Sequence, residues 1–453
     1  MGKIVDNKNL DANLAKDVDI DLQPTRERIM DPISYGASFL GGCVSIGTFS
    51  MGASLIGALT VTQAIIAMAI GCLVIAIALV LVGNCGHKYG IPYSIQLRSS
   101  FGNAGVKVPG FLRGIPAIIW FGYQSWIGAG AINSCLKILF GISNLPVVYI
   151  LFTIAQVALA IHGFKEIKWL ENISCIFIIA ILIYMLYVVK TQFAVEISGT
   201  FSHIKGTWGM PFWAATTSFL GIYSTMIINA SDYARNLKEN VGPKATGSIY
   251  AVSILPVTLF MGLIGLLVTA ATGNSDPVAV FSTTMHSKAL TIITLAFIAF
   301  AQVTTNVLNN IVPPSYVLME ATHLKWKVCT VIVGILSVCC CPWVLVTDKS
   351  AAGLALFTKI YSAFLGPIFA VMVVDYYFVH KKKLDVNLLY DKNGPYKGIN
   401  WAAIIAIIVG SLCSLIVVDL SWYVSLIPTG LVYYFCMKKM PSCERFRKGT
   451  SLE

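Results

Sequence analysis

The stretch Ile115 to Asn133, IPAIIWFGYQSWIGAGAIN, is apolar enough to cross a bilayer, yet it holds Trp120, Tyr123, Gln124 and Trp126 among small residues. A helix that only has to sit in lipid gains nothing from a mid-span glutamine. A buried amide without a partner costs about 1–3 kcal/mol. Trp120 and Gln124 are spaced i, i+4 and share one helix face. A flat indole one turn from an amide offers a stacking surface beside a donor and an acceptor, which is the chemistry that grips a planar polar ring. The same residues also suit helix packing, with Gln124 bonded to a neighbouring helix.

Three other apolar segments carry polar groups of a kind lipid does not require. The first span, SYGASFLGGCVSIGTFSMGASLIG, is dense in glycine and hydroxyl residues, with Gly41, Gly42, Gly47 and Gly52. Such a span either packs tightly through its small residues or breaks, and a break frees backbone carbonyls near mid-bilayer where a sodium ion can be held. The sixth, MPFWAATTSFLGIYSTMIINASDYAR, places Gly221 and Tyr223 among Thr216, Thr217, Ser218, Ser224 and Thr225. The eighth contains TTNVLNNIVPPSY. Its asparagines 306, 309 and 310 are expensive in a membrane unless they bond across helices or line a cavity. On an α-helix Asn306 and Asn310 face one way and Asn309 another. The hydroxyls of Thr304 and Thr305 either face a site or bond back to their own helix. Lys359, about two turns from the outer end of the tenth span, either snorkels to the surface or gates.

The elements that position these residues follow from composition. Of 453 residues 57% are hydrophobic and 12% charged, against about 25% charged in soluble domains. The chain reads as an all-α membrane protein with twelve spans, near 33–57, 60–84, 114–138, 146–163, 172–189, 211–230, 246–272, 288–316, 327–346, 352–378, 400–418 and 421–437. With the N-terminus inside, 26 of the 32 Lys and Arg fall in inner segments and five in outer loops. This is the positive-inside asymmetry. It places both termini in the cytoplasm, and it accounts for the net charge of +11 without nucleic acid. Residues 1–30 have no apolar h-region, so no cleavable signal peptide is expected and the first apolar helix directs insertion. Residues 1–32 and 438–453 are polar tails, the first expected to be poorly ordered. The twelve cysteines show no spaced ligand pattern and read as packing residues. Spans 4 and 5 look ordinary, the fifth bordered by Lys168 and Glu171, and spans 11 and 12 carry nothing polar enough to suggest a site. No Asp or Glu lies mid-span, which favours sodium over protons as a coupling ion and leaves protons open. Two Gly- and hydroxyl-rich segments five spans apart point to an inverted-repeat transporter. Residues 33–189 form the first repeat, 190–378 the second, and 379–437 a cytoplasmic loop with two peripheral helices.

The motifs GIPYSIQLRSSFG, RGIPAIIWFGYQ, NASDYAR, TTNVLNNIVPPSY and GPIFAVMVVDYYFV together make the chain resemble the nucleobase–cation-symporter-1 family over nearly its whole length. The resemblance extends to the bacterial hydantoin and cytosine transporters. It implies a core of ten helices in a 5+5 inverted repeat, with broken helices 1 and 6, plus two peripheral helices. It implies that Trp120 stacks on one face of a heterocycle and Tyr223 on the other. It further implies that Gln124 and Asn310 bond the ring's edge, that Gly221 and Ile222 offer backbone groups at a helix break, and that Ser45 makes a polar contact. A sodium site would use the carbonyls of Gly41, Val44 and Ala301 with the hydroxyls of Thr304 and Thr305. Two positions depart from relatives. Tyr223 adds a phenol where many carry Trp or Phe, and Ala301 replaces the side-chain ligand of cytosine-type members.

The expected function is secondary transport of a planar nitrogen heterocycle across the cell membrane by symport with a cation, Na+ or else H+, through alternating access. The substrate stays open among cytosine, uracil, purines, hydantoins, allantoin and vitamin-like pyrimidines. An amino-acid or amine transporter of the same architecture is the alternative. The partners expected are the substrate and the bilayer, with no cofactor besides the coupling ion; the oligomeric state stays open, a monomer included. No nucleophile–base set, metal cluster or filter motif supports an enzyme or a channel.

Overall fold

The computed structural model describes residues 6–16, 18–162, 180, 183–276, 278–280, 287–344 and 350–453. These residues form helices and their connections, with no strand among them. Six helices among them are long and apolar enough to cross a membrane. Every expected span except the fifth coincides with a described helix; the fifth, 172–189, lies largely outside the described residues.

The first span is two helices. Asp31 caps α1 (Pro32–Cys43) by accepting from the N–H groups of Ile33 and Ser34, and Pro32 takes the first turn, where its missing N–H costs nothing. Val44 then leaves helical geometry at ψ 79°, and Ser45, fully extended, caps α2 (Ile46–Ala53) through its hydroxyl. Next come α3 (Val61–Tyr89), a short α4 (Tyr93–Phe101) within the loop expected at 85–113, α5 (Lys107–Phe140) and α6 (Leu145–His162).

The sixth span corrects an expectation. Helix α7 (Met210–Ile228) runs unbroken through Gly221 and Ile222, and the interruption comes later, at Asn229 (φ −98°, ψ 25°), before the short α8 (Ala230–Ala234). Gly221 serves packing instead of unwinding. Its carbonyl accepts from the Ser224 hydroxyl at 2.6 Å, and a Cβ on it would sit 2.9 Å from Ser362 Oγ.

Helices α9 (Pro243–Thr272), α10 (Lys288–Asn306), α11 (Val312–Thr322), α12 (Trp326–Cys339), α13 (Ser350–Val373), α14 (Trp401–Ile416) and α15 (Ser421–Lys439) follow, and shorter helices lie at Ala12–Lys16, Ala194–Ser202, Val386–Tyr390 and Glu444–Arg447. Between α10 and α11, Val307–Ile311 form a π-helical turn. The sequence explains it: Pro313 and Pro314 have no N–H, so the carbonyl of Asn309 finds a donor neither four nor five residues ahead.

Two groups of helices result. One consists of α1, α2, α3, α7 and α9, the other of α5, α6, α10, α11 and α12, while α13 to α15 pack together beside them. In the first group α2 and α9 meet backbone to backbone, since a Cβ on Gly52 would collide with the carbonyl of Gly262.

The described residues of the N-terminal segment are tied to the rest of the chain. Asp6 pairs with Lys88 and accepts from Tyr89, Tyr390 donates to the carbonyl of Leu22, and Arg28 donates to that of His87. The C-terminal residues lie on the same face: Lys88 donates to the carbonyl of Lys382, the Ser451 hydroxyl to that of nearby Val379, and Arg447 to the carbonyls of Met437, Lys438 and Met440. This face carries the termini of the described chain, its first described residues and its C-terminal segment. Helix α5 begins on it, since just before that helix the N–H groups of Asn103 and Ala104 donate to the carbonyls of Tyr396 and Gly398.

Candidate functional site

A cavity of about 30 Å³ lies where the two groups of helices meet. Gly42, Ser45, Ile222, Tyr223, Thr225 and Met226 line it from the first group, and Trp120, Gln124, Thr305, Asn309 and Asn310 from the second. Its size admits a water or two; a pocket that holds a drug-sized ligand is about 300 Å³ or more. The site must widen to admit a ring.

Trp120 is held from three sides. Its indole N–H donates to the Tyr361 hydroxyl at 3.3 Å, Phe357 tilts against it at 6.2 Å, and Tyr123 meets it edge-on at 5.7 Å. Its far edge presses on α2, where a Cβ on Gly47 would sit 2.8 Å from Cη2. One turn on, Gln124 is 3% exposed, and its Oε1 has no hydrogen-bond partner. The alternative role, a bond to a neighbouring helix, is not made by this oxygen. An unpartnered buried acceptor on a cavity wall is a cost that a ligand's N–H can offset.

Tyr223 lines the cavity with its ring. Its phenol is engaged elsewhere, 3.1 Å from the Thr48 hydroxyl, 2.9 Å from that of Thr258 and 3.5 Å from the carbonyl of Cys43. The extra hydroxyl therefore fastens α7 to the break in α1. Ser45 lines the cavity too, but its hydroxyl caps α2 and meets Thr48 at 3.1 Å. Ile222 reaches the wall; Gly221, which packs on α13, does not.

The π turn changes the facing of the asparagines, so that Asn309 lines the cavity together with Asn310. Asn310 donates to Asn306 Oδ1 at 2.8 Å, and Asn306 donates to Gln156 Oε1 at 2.9 Å and to Ser125 at 3.2 Å. Asn306 thus orients Asn310 and sits off the cavity itself. Gln156 lies on the span 146–163, which looked unremarkable in sequence; a mid-span amide was its signal.

All five residues of the expected ion site come together. The Thr305 hydroxyl lies 3.0 Å from the carbonyl of Ala301, 3.1 Å from Val44 and 3.4 Å from Gly41, and the Thr304 hydroxyl lies 3.0 Å from Ala301. Both threonines therefore bond back to their own helix, and Thr305 also reaches across to the break in α1. One hydroxyl proton cannot serve three carbonyls, so two of the three contacts bring lone pairs together without a proton between them. Such a cluster suits a hard cation, which takes oxygen ligands.

Two carboxylates at span ends, Asp232 and Asp375, are buried. Asp232 accepts from the Tyr93 N–H at 2.8 Å, and Asp375 from Ser99, Ser100 and Tyr433. Lys359 pairs with Asp419 at 2.5 Å, joining α13 to the end of α14 instead of standing free at the surface. Cys339, Cys340 and Cys341 are exposed at the end of α12, unlike the packing role expected of them. Among the described residues no three His, Cys, Asp or Glu side chains gather as a metal site.

Comparison with known proteins returns one consistent answer. The model of a family described as permeases for cytosine/purines, uracil, thiamine and allantoin matches residues 23–438. A hydantoin permease of Microbacterium maritypicum is 26% identical over 436 residues, 92% of this chain and 88% of that protein. An allantoin permease of Bacillus subtilis (strain 168) is 27% identical over 452 residues, 89% of this chain and 90% of that one. The solved structure of Mhp1, a nucleobase-cation-symport-1 family transporter in a closed conformation with bromovinylhydantoin bound, superimposes with a TM-score of 0.85 at 24% identity. That match covers 95% of this chain and 99% of that one.

Proposed function

The chain belongs to the family of permeases for cytosine, purines, uracil, thiamine and allantoin, a family of multi-pass membrane transporters and not of enzymes. From that premise we propose that it imports a nucleobase or a related planar nitrogen heterocycle by symport with a cation, Na+ in preference to H+. The face that carries the termini is the cytoplasmic one, and the core is a 5+5 inverted repeat that works by alternating access.

The observation that carries this reading is the unpartnered Gln124 Oε1 on the wall of a cavity shared with the rings of Trp120 and Tyr223. Trp120 stacks on one face of the heterocycle and Tyr223 on the other, while Gln124 and Asn310 read its edge. The cation sits among the carbonyls of Gly41, Val44 and Ala301 and the hydroxyls of Thr304 and Thr305. It ties α10 to the break in α1 and so joins the two helix groups. Because the cavity is narrow, entry of a ring requires the groups to part, and ion and ring together draw them closed again.

The test is thermal unfolding of the purified protein against a panel of nucleobases, hydantoins and allantoin, in sodium and in potassium. A ligand that binds only the native state raises the melting temperature. One heterocycle should do so, more in sodium, and Trp120→Ala should lose the shift while still melting cooperatively. A shift indifferent to sodium transfers the coupling to protons. No shift with any planar heterocycle, or a normal shift in Trp120→Ala, removes the reading.

A further inference from the structure

Arg113 is the one fully buried arginine among the described residues, and the transport reading gives it no role. Its Nε and Nη2 donate to Asn229 Oδ1 at 3.0 and 2.8 Å, Nη2 also donates to the carbonyl of Asn309 at 2.7 Å, and Nη1 has no partner. A buried guanidinium bonded to neutral oxygens alone is expensive. The geometry that holds it is written into the sequence. Pro313 and Pro314 deny the carbonyl of Asn309 a donor from its own helix, and Arg113 supplies the missing one.

The same guanidinium also bonds across between the helix groups. Arg113 belongs to α5, and Asn229 stands at the interruption between α7 and α8. A second bond crosses beside it, from the Tyr233 hydroxyl to Asn309 Oδ1 at 2.7 Å. A third leaves the other end of that amide, from Asn309 Nδ2 to the carbonyl of Gly42 at 3.2 Å, on the last turn of α1 before its break. Asn309 also lines the cavity. Along α5, Arg113 is nearly two turns closer than Trp120 to the end at Lys107, and so to the face that carries the termini.

We infer that Asn309 is a positioning residue for the transport cycle. Its amide and its freed carbonyl join the break in α1 to the Arg113–Asn229 and Tyr233 contacts, and together these latch the pocket shut toward the face that carries the termini. Parting the helix groups on that side breaks all three crossing contacts, each of which either holds Asn309 or is held by it. Displacement of the α1 break, where the cation is proposed to bind, moves Gly42 and with it the amide that Tyr233 grips. The latch rests on the transport reading for its purpose but not for its existence.

The experiment uses a thiol that the protein already has. Cys43, the residue after Gly42, is fully buried. Its rate of alkylation by N-ethylmaleimide, mapped on the digested protein without substrate, reports how often this region opens. Tyr233→Phe removes the single proton that the hydroxyl donates across, to Asn309 Oδ1 at 2.7 Å with the carbonyl of Leu308 at 3.4 Å, and keeps the ring that packs edge-on against Phe39 at 5.3 Å. Tyr250→Phe is the control. It deletes an equally buried hydroxyl contact, to Tyr35 at 2.7 Å, that stays within the first helix group. Cys43 alkylation should rise about fivefold in Tyr233→Phe, the factor that one buried hydrogen bond of ordinary worth supplies, and stay at the wild-type rate in Tyr250→Phe. An unchanged rate in Tyr233→Phe, or an equal rise in both variants, overturns the latch. The heterocycle panel separates the two claims. Ligand-induced stabilisation without the alkylation response leaves transport standing and the latch refuted. The alkylation response without any stabilising heterocycle leaves the latch standing and the substrate reading refuted.

Discussion

Thr305→Val is the sharpest test of the ion reading, because valine keeps the shape of threonine and removes only the hydroxyl. That hydroxyl lies within 3.4 Å of three carbonyls, on Ala301, Val44 and Gly41. In potassium the variant loses at most one effective hydrogen bond, about 1 kcal/mol, since a single proton serves a single carbonyl at full strength. In sodium it loses one of five proposed oxygen ligands. Changes even to groups that only support metal ligands weaken affinity about 10–100-fold, so removing a ligand should weaken it at least tenfold. Mass action then fixes the size of the effect. At a sodium concentration 100 times the wild-type dissociation constant, stabilisation is about 2.7 kcal/mol, and a tenfold weaker site retains about 1.4 kcal/mol. The assay is the melting temperature of both proteins across a sodium titration at constant ionic strength, with potassium as the balancing ion. The expected result is a sodium-dependent rise in wild type that shifts to at least tenfold higher concentration in Thr305→Val. Coincident sodium curves for the two proteins would falsify the placement of the ion at Thr305, and a flat wild-type curve would remove sodium from the site altogether.

Two further substitutions probe the ring site. Gln124→Leu removes an unpartnered buried acceptor, so the ligand-free protein should gain about 1–3 kcal/mol of stability while the heterocycle loses its edge contact; destabilisation without ligand would mean that the amide is structural. Gly47→Ala places a methyl 2.8 Å from Trp120 Cη2, which forces the indole aside. It should lower heterocycle affinity at least tenfold with sodium stabilisation intact, and equal affinity in wild type and variant would show that the indole's seat against α2 does not matter.

What the sequence disclosed, and what it withheld, divides by range. Hydropathy marked the spans, because each helix must meet lipid along its own length. A polar residue inside an apolar run marked Trp120 and Gln124, the family resemblance added Tyr223, Asn310, Ser45 and Ile222, and all six reach the cavity. Gly221 does not, because a glycine in a helix serves close approach as readily as unwinding, and only the neighbour at Ser362 decides between them. Asn309 faces the cavity beside Asn310, against α-helical spacing, because both lie in a π turn. Two adjacent prolines are the signal of that turn in the sequence, since they leave a carbonyl that must find a donor elsewhere. Tyr361, Gln156, Ser125 and Arg113 act across long sequence separations that periodicity does not report. The first 31 residues looked like a tail because they are polar, and their partners at Lys88, Tyr89 and Tyr390 lie far along the chain.

The departures from regular helix share a physical consequence. At the α1 break the carbonyls of Gly41 and Val44 face Thr305, that of Gly42 takes Asn309, and that of Cys43 takes Thr48 and Tyr223. At the π turn the carbonyl of Asn309 takes Arg113, and at the α7 interruption the side chain of Asn229 takes the same guanidinium. Apart from Tyr223, Thr48 and the bond from Arg113 to the carbonyl of Asn309, every donor named here comes from the opposite helix group. A straight helix satisfies its own backbone and is indifferent to where its neighbour stands. A broken one transfers that requirement to the neighbour, so the relative position of the two groups enters the hydrogen-bond balance of each. Sites that must hold in one arrangement and release in another therefore belong at such breaks. The cation proposed among the carbonyls, or the ring proposed against Gln124, would complete bonds that the protein leaves incomplete, and would do so only while the two groups stand together.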